Sequence, residues 1–201
     1  MPQVVEPLSE AREAPPNRIR WTRRQYHAMW DADILQGRYE LVEGEIISKM
    51  GQNRPHVIVI VLLCEWLRQL FGGAFVQVQG PIQTSTSDAD FSEPEPDIAI
   101  TIQPAVAYLE RLPAPSDLAL VVEVSDTTLR FDRSIKTMLY ARSGICEYWI
   151  VDIAGRQVFV HRQPAAEGYL EITAYSAEER IATLAHPDVS VCVADLLPPV
   201  A

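Results

Sequence analysis

Lysine is almost missing from this chain: of its 17 basic side chains, only Lys49 and Lys136 are lysines. Cysteine is scarce as well. Cys64, Cys146 and Cys192 are widely spaced, odd in number and without a C-x-x-C pair, which argues against a zinc site or disulfide framework and for reduced core thiols. The longest uninterrupted apolar run, Val57 to Cys64, is far shorter than the roughly 20 residues that cross a bilayer. No basic-then-apolar signal pattern opens the sequence. We therefore expect a cytoplasmic protein without membrane association. No G-x-S-x-G, P-loop, GxGxxG or H-E-x-x-H occurs, so serine-hydrolase, nucleoside-triphosphatase and zinc-protease readings have no support. A positive balance is missing too: the net charge is −10. Arg18, Arg20, Arg23 and Arg24 form one basic cluster, and Arg130, Arg133, Lys136 and Arg142 another. Avid, non-specific DNA binding, which needs a basic surface, is not expected.

What is present describes an ordinary globular domain. At 201 residues and 48% apolar, the chain can bury a real core in one domain, which we place at 19–201. Residues 1–18, with prolines at 2, 7, 15 and 16, are expected to be a disordered tail. Thr22 and Gln25 form a T-x-x-Q capping box with Trp21 and Tyr26 at the staple positions, predicting a helix to about Gln36 with Gly37 as its stop. YELVEGEIIS reads as a hairpin turning at Glu43-Gly44. Asn53, Pro55 and the closing Gly72-Gly73 favour a helix between them despite its β-branched start. Apolar on nearly every side at first, that helix should be largely buried there.

Phe75 to Val78 and the residues after Pro81 read as one or two strands, and SDADFS as a loop. In PDIAI the alternation puts Asp97 and Ala99 on one face and Ile98 and Ile100 on the other. After a long connection with three prolines over residues 103–117, LALVVEVSD places Val121, Glu123 and Ser125 on one face. A helix from about Asp132 to Arg142, stopped by Gly144, leads to strand CEYWIVD. A turn at Ala154-Gly155 and further short strands follow. The order predicts a mixed α/β or α+β domain.

The chemistry centres on two acids in otherwise apolar strands. A buried carboxylate is costly unless it is paired or holds a metal. Asp97 and Glu123 are therefore candidate ligands for Mg²⁺ or Mn²⁺, the cations that assist phosphodiester hydrolysis. The plainer reading has Asp97 capping a turn and Glu123 pairing with an arginine. Lys136 follows at i+4 from Asp132, with Tyr140 at i+8, roughly along one helix face. Lysine can orient or activate a water, although by spacing alone a simple surface Asp132–Lys136 pair is the better reading. Among the hairpin acids Glu40 is the best extra ligand and Glu43 a turn residue. His56, at the start of the long helix, can reach the same site. His161 and His186 suggest no role.

YELVEGEII, the helix with His56, EPEPDIAI, LVVEVSDTTLRFDRSIKTMLYARSGICEYWIVD and the β-rich end together resemble the Uma-two family. These are bacterial proteins of the restriction-endonuclease-like, PD-(D/E)xK, superfamily. The likeness spans residues 20–200 or so. It implies a restriction-endonuclease-like core: a central mixed β-sheet flanked by helices, with an N-terminal helix and hairpin and a β-rich C-terminal extension. By it, Asp97 and Glu123 match the two acids of the motif. Ser125 stands where the superfamily usually has its lysine, and Lys136 looks like that lysine displaced to the next helix. Glu40 looks like an additional acid ahead of the core. Asp126 departs from relatives, which commonly have proline there, and adds negative charge beside the site.

The implied activity is a Mg²⁺- or Mn²⁺-dependent endonuclease acting on nucleic acid, DNA first. Asp97 and Glu123 would hold the metal, Lys136 would orient or deprotonate the attacking water, and His56, Ser125, Asp132 and Tyr140 would support them. A catalytically inactive module for DNA or protein binding, and a small-nucleotide phosphohydrolase, are the alternatives. The short C-terminal strands and apolar edges suggest a homodimer.

Overall fold

The structure, a computed structural model, describes residues 3–4, 19–49 and 53–199. Helix α1 (Arg23–Asp31) starts as its sequence demands, with both capping-box hydrogen bonds between Thr22 and Gln25 formed. It ends earlier than the expected Gln36. Asp33 takes a left-handed φ of 54°; its N–H bonds Trp30 O at 3.0 Å, and the Ile34 N–H bonds Met29 O at 2.9 Å. This pair of bonds is a Schellman closure, with an aspartate where glycine is commoner.

The hairpin of β2 (Tyr39–Val42) and β3 (Glu45–Ser48) turns at Glu43 and Gly44, both at positive φ (52° and 83°). That is the primed turn whose twist suits adjacent strands. Helix α2 (Arg54–Phe71) is capped by Asn53, whose side chain accepts the His56 N–H. Only one face is buried, through Val59, Ile60, Leu63, Cys64 and Leu67. Val61 is 57% exposed, so the all-round burial expected of its first half does not occur.

The main sheet contains β1 (Gln3–Val4), β4 (Val76–Val78), β5 (Ile98–Thr101), β6 (Leu118–Ser125), β7 (Glu147–Asp152), β8 (Gln157–Ala165) and β9 (Gly168–Ser176), in the order β1-β9-β8-β7-β6-β5-β4. Only β6 and β7 are parallel. They are joined by a helical crossover comprising α3 (Leu129–Phe131), a π-helical turn (Asp132–Lys136) and α4 (Thr137–Arg142). A small sheet of β10 (Arg180–Ala182) and β11 (Ser190–Cys192) completes the extension. This is the mixed α+β architecture read from the sequence. Within the expected disordered tail, Gln3–Val4 pair with the β9 edge, and the remainder lies outside the described residues. No strand forms directly after Pro81, where Ile82 is buried in irregular chain.

The sheet has two covered faces. Ile98, Ile100, Val122, Val124, Trp149 and Val151 meet α2 on one side, where Trp66 stacks on Trp149 with centroids 6.0 Å apart. Ala99, Val121, Tyr148, Ile150 and Phe159 meet Tyr140 and Ala141 of α4 on the other. The predicted alternation in β5 and β6 therefore holds, and Asp97, Glu123 and Ser125 fall on the α4 side. All three cysteines are free. Cys146 corrects the expectation of core thiols: it is exposed, in the turn between α4 and β7.

Candidate active site: a buried acid–lysine pocket

Pairing of Ile98 with Val122 and Ala99 with Val121 puts Asp97, one step further, opposite Glu123 on the next strand. The backbone enforces this approach, because the Val124 N–H donates to Asp97 Oδ2 at 2.9 Å. His56 Nε2 lies 3.3 Å from the same oxygen and Lys49 Nζ 3.7 Å from Oδ1. Burial would raise the Asp97 pKa, but the His56 hydrogen bond, the Lys49 charge and the Val124 amide together hold it at about 2. It is a carboxylate under all ordinary conditions.

Glu123 is placed differently. Lys136 Nζ donates to its Oε1 at 2.7 Å and the Tyr140 hydroxyl at 2.9 Å. Both bonds fall on the same oxygen. Burial raises its pKa, and the charges of Lys136 and Lys49 oppose that rise. Lys136 also meets Glu40 Oε1 at 2.9 Å, while Glu40 Oε2 accepts the Glu95 N–H at 3.0 Å. Burial works against the Lys136 charge, but Glu123, Glu40 and Asp132 overcome it and drive its pKa well above that of free lysine. The lysine is a buried cation held between two acids from distant parts of the chain.

The crossover geometry explains how it gets there. Asp132, Lys136 and Tyr140 were expected on one face, with a surface Asp132–Lys136 pair as the plain alternative. Both charged residues are instead buried. The π turn spans them, and such widened turns recur at functional sites. Asp132 turns to hydroxyls, accepting Ser125 Oγ at 2.5 Å and Thr128 Oγ1 at 2.6 Å, and burial raises its pKa. Ser125 thus holds Asp132. Lys136 is free to reach Glu123 and Glu40.

Apart from Ser125 and Tyr140, which lie behind, these groups line one cavity of about 340 Å³. Asp126 lines it too and accepts from the Asn53 side chain that caps α2. Sequence reasoning missed Lys49. It lines the cavity, donates to Glu95 O and lies beside Asp97, so both lysines of the chain meet at one site. Their rarity was the available signal. Among the described residues no three His, Cys, Asp or Glu side chains form a ready-made cation cage. The donor set nonetheless fits Mg²⁺ or Mn²⁺, which are commonly bound by one or two carboxylates plus waters and phosphate oxygens. Asp97 and Glu123 are such donors.

A family model described as "Putative restriction endonuclease", that of Uma2, matches residues 24–195. The chain belongs to the Uma2 family. Among solved structures, this Uma2 protein is similar to the crystal structure of a putative nuclease belonging to DUF820 from Anabaena variabilis. The TM-score is 0.62 at 14% identity, covering 84% of this chain and 96% of that one. At that identity the likeness shows the fold. No curated protein matches the chain. No helix among the described residues of this Uma2 chain is long and apolar enough to cross a membrane.

Proposed function

We propose that this Uma2 protein is a Mg²⁺- or Mn²⁺-dependent endonuclease that hydrolyses phosphodiester bonds in nucleic acid, with DNA as the first substrate to test. The observation that carries this reading is the side-by-side placement of Asp97 and Glu123 with the Lys136 ammonium 2.7 Å from Glu123 in one cavity. Asp97 and Glu123 would hold the metal, which when bound supplies Lewis-acid stabilisation of charge on the phosphate. Lys136, flanked by carboxylates, keeps its proton and serves as a donor that orients the attacking water and meets developing negative charge. Glu40 and Tyr140 fix the positions of Lys136 and Glu123. Lys49 balances the Asp97 charge, and the His56 ring lies 3.3 Å from its carboxylate. The homodimer belongs to the same proposal, and a monomeric mass by light scattering would exclude it.

The test is cleavage of supercoiled plasmid and single-stranded DNA with Mg²⁺, Mn²⁺ or chelator. Wild type should nick in metal only, and Asp97→Asn should lose at least about 100-fold, the scale of several kcal/mol of charge stabilisation. Unchanged cleavage by Asp97→Asn would sink the assignment. A second reading, an inactive module on the nuclease fold, draws on the ion pairs already satisfying both acids. Calorimetric titration with Mn²⁺ separates the two, since an inactive module with no ligand role should take up no metal.

A further inference from the structure

Beside the acid–lysine pocket lies a second cavity of about 360 Å³, a size typical of small-ligand sites. Strand β2 is the wall between them. Glu40 lines the acid–lysine pocket, and Tyr39, pointing the opposite way along the strand, lines the second cavity. Arg38 lines both. The irregular approach to β5 reaches both cavities as well, with Glu93 and Glu95 in the second and Asp97 in the first.

The second cavity is walled by rings. Tyr26 and Trp30, one turn apart on α1, have centroids 6.2 Å apart at 83°, and Trp30 and Tyr39 lie 6.0 Å apart at 68°. Edge-to-face packing leaves ring faces unstacked. Tyr26 is anchored by its hydroxyl on Tyr39 O at 2.9 Å, while Trp30 and Tyr39 remain partly exposed. The two acids are already balanced, Glu93 by Arg23, with the His27 ring 3.0 Å away, and Glu95 by Arg38. A phosphate entering here would meet two carboxylates. A neutral planar heterocycle would meet ring faces and oxygens able to accept its N–H groups.

We infer that this cavity is a subsite for one unstacked nucleobase of the substrate strand, stacked against Trp30 with its N–H edge toward Glu93 and Glu95, while the adjoining phosphate occupies the acid–lysine pocket. The inference rests on the nuclease reading and adds a preference to it. A base inside a duplex must leave its stack to enter, so single-stranded or frayed DNA is favoured over intact duplex.

The test is binding of a fluorescent single-stranded oligonucleotide, in chelator so that nothing is cut, by wild type, Trp30→Leu and Trp30→Phe. Loss of one stacked base weakens binding about 5- to 150-fold. Trp30→Leu should show that loss, and Trp30→Phe, which keeps a ring face, should recover most of it. An abasic oligonucleotide of the same length should bind wild type as weakly as the normal one binds Trp30→Leu. This comparison needs no variant and stands even where Trp30→Leu does not fold. Equal binding of normal and abasic strands overturns the subsite. Where wild type still nicks plasmid in Mg²⁺, that result removes the subsite alone; where wild type neither binds nor nicks, the nuclease reading falls with it.

Discussion

Replacing Lys136 with methionine keeps the volume of the side chain and removes its charge. In the structure that charge lies 2.7 Å from Glu123 and 2.9 Å from Glu40, with the lysine 2% exposed. Deleting one partner of a buried ionic group leaves the others uncompensated, at a cost of about 3–5 kcal/mol. Against a total stability of about 5–15 kcal/mol this is a large fraction. For a chain of this size each kcal/mol moves the melting temperature by about 2–4 °C, so Lys136→Met should melt about 6–20 °C lower. Neutralising the acids as well, in Lys136→Met/Glu40→Gln/Glu123→Gln, should return part of that loss, because no charge of the cluster is then left buried without its partner. Calorimetry or circular dichroism on the two variants reads both effects. Nicking should be absent from both, so stability returns without activity. A Lys136→Met protein that melts within about 2 °C of wild type would refute the picture of a cation clamped between acids. So would a triple variant less stable than the single one.

Three further outcomes follow from other parts of the chain. His161 is buried, and burial lowers its pKa from 6.5 to about 4. The unfolded chain then binds the extra proton first, so stability relative to His161→Phe should be constant above pH 6.5, fall as pH drops toward 4 by up to about 3 kcal/mol, and level off below; a flat difference in urea titrations across that window would contradict the burial argument. Glu147, fully buried, accepts from Arg162 at 2.6 and 3.0 Å, the Trp149 indole at 3.1 Å and the Leu184 amide at 2.8 Å. Glu147→Ala should cost about 3–5 kcal/mol in chemical denaturation, and a loss below about 1 kcal/mol would show that the arginine finds water instead. At Gly44, φ is +83° and a Cβ would lie 2.7 Å from the Cβ of Arg20. Gly44→Ala should lower stability by more than about 1 kcal/mol, and an unchanged melting curve would mean the turn can change type.

Features set by neighbours in sequence were legible. The Thr22–Gln25 box, the Glu43-Gly44 turn and the Asn53 cap each depend on residues within a few positions, and each forms. The strand alternation that put Asp97 with Ala99, and Glu123 with Val121 and Ser125, also followed from period alone. What failed had local competitors of similar strength. Gly37 looked like the helix stop, yet Asp33 takes the left-handed position first and closes the Schellman bonds. The β-branched and apolar start of α2 suggested burial on all sides, but its neighbours cover one face only and Val61 faces outward.

The site illustrates a different limit. Helical spacing treated Asp132 and Lys136 as each other's partner, an inference that holds only while the helix is regular. The π turn runs across both, and long-range partners then decide: Ser125 and Thr128 take Asp132, and Glu40 and Glu123 take Lys136. Glu40 itself is held by the Glu95 amide, and Glu95 O in turn receives Lys49. Each link joins segments that only the folded sheet brings together, and this is why Lys49 escaped a reading that found Lys136. Composition offered the missing clue. In a chain that uses arginine nearly everywhere else, both lysines line one pocket, where a compact ammonium can fit between carboxylates that the broader guanidinium fork would push apart.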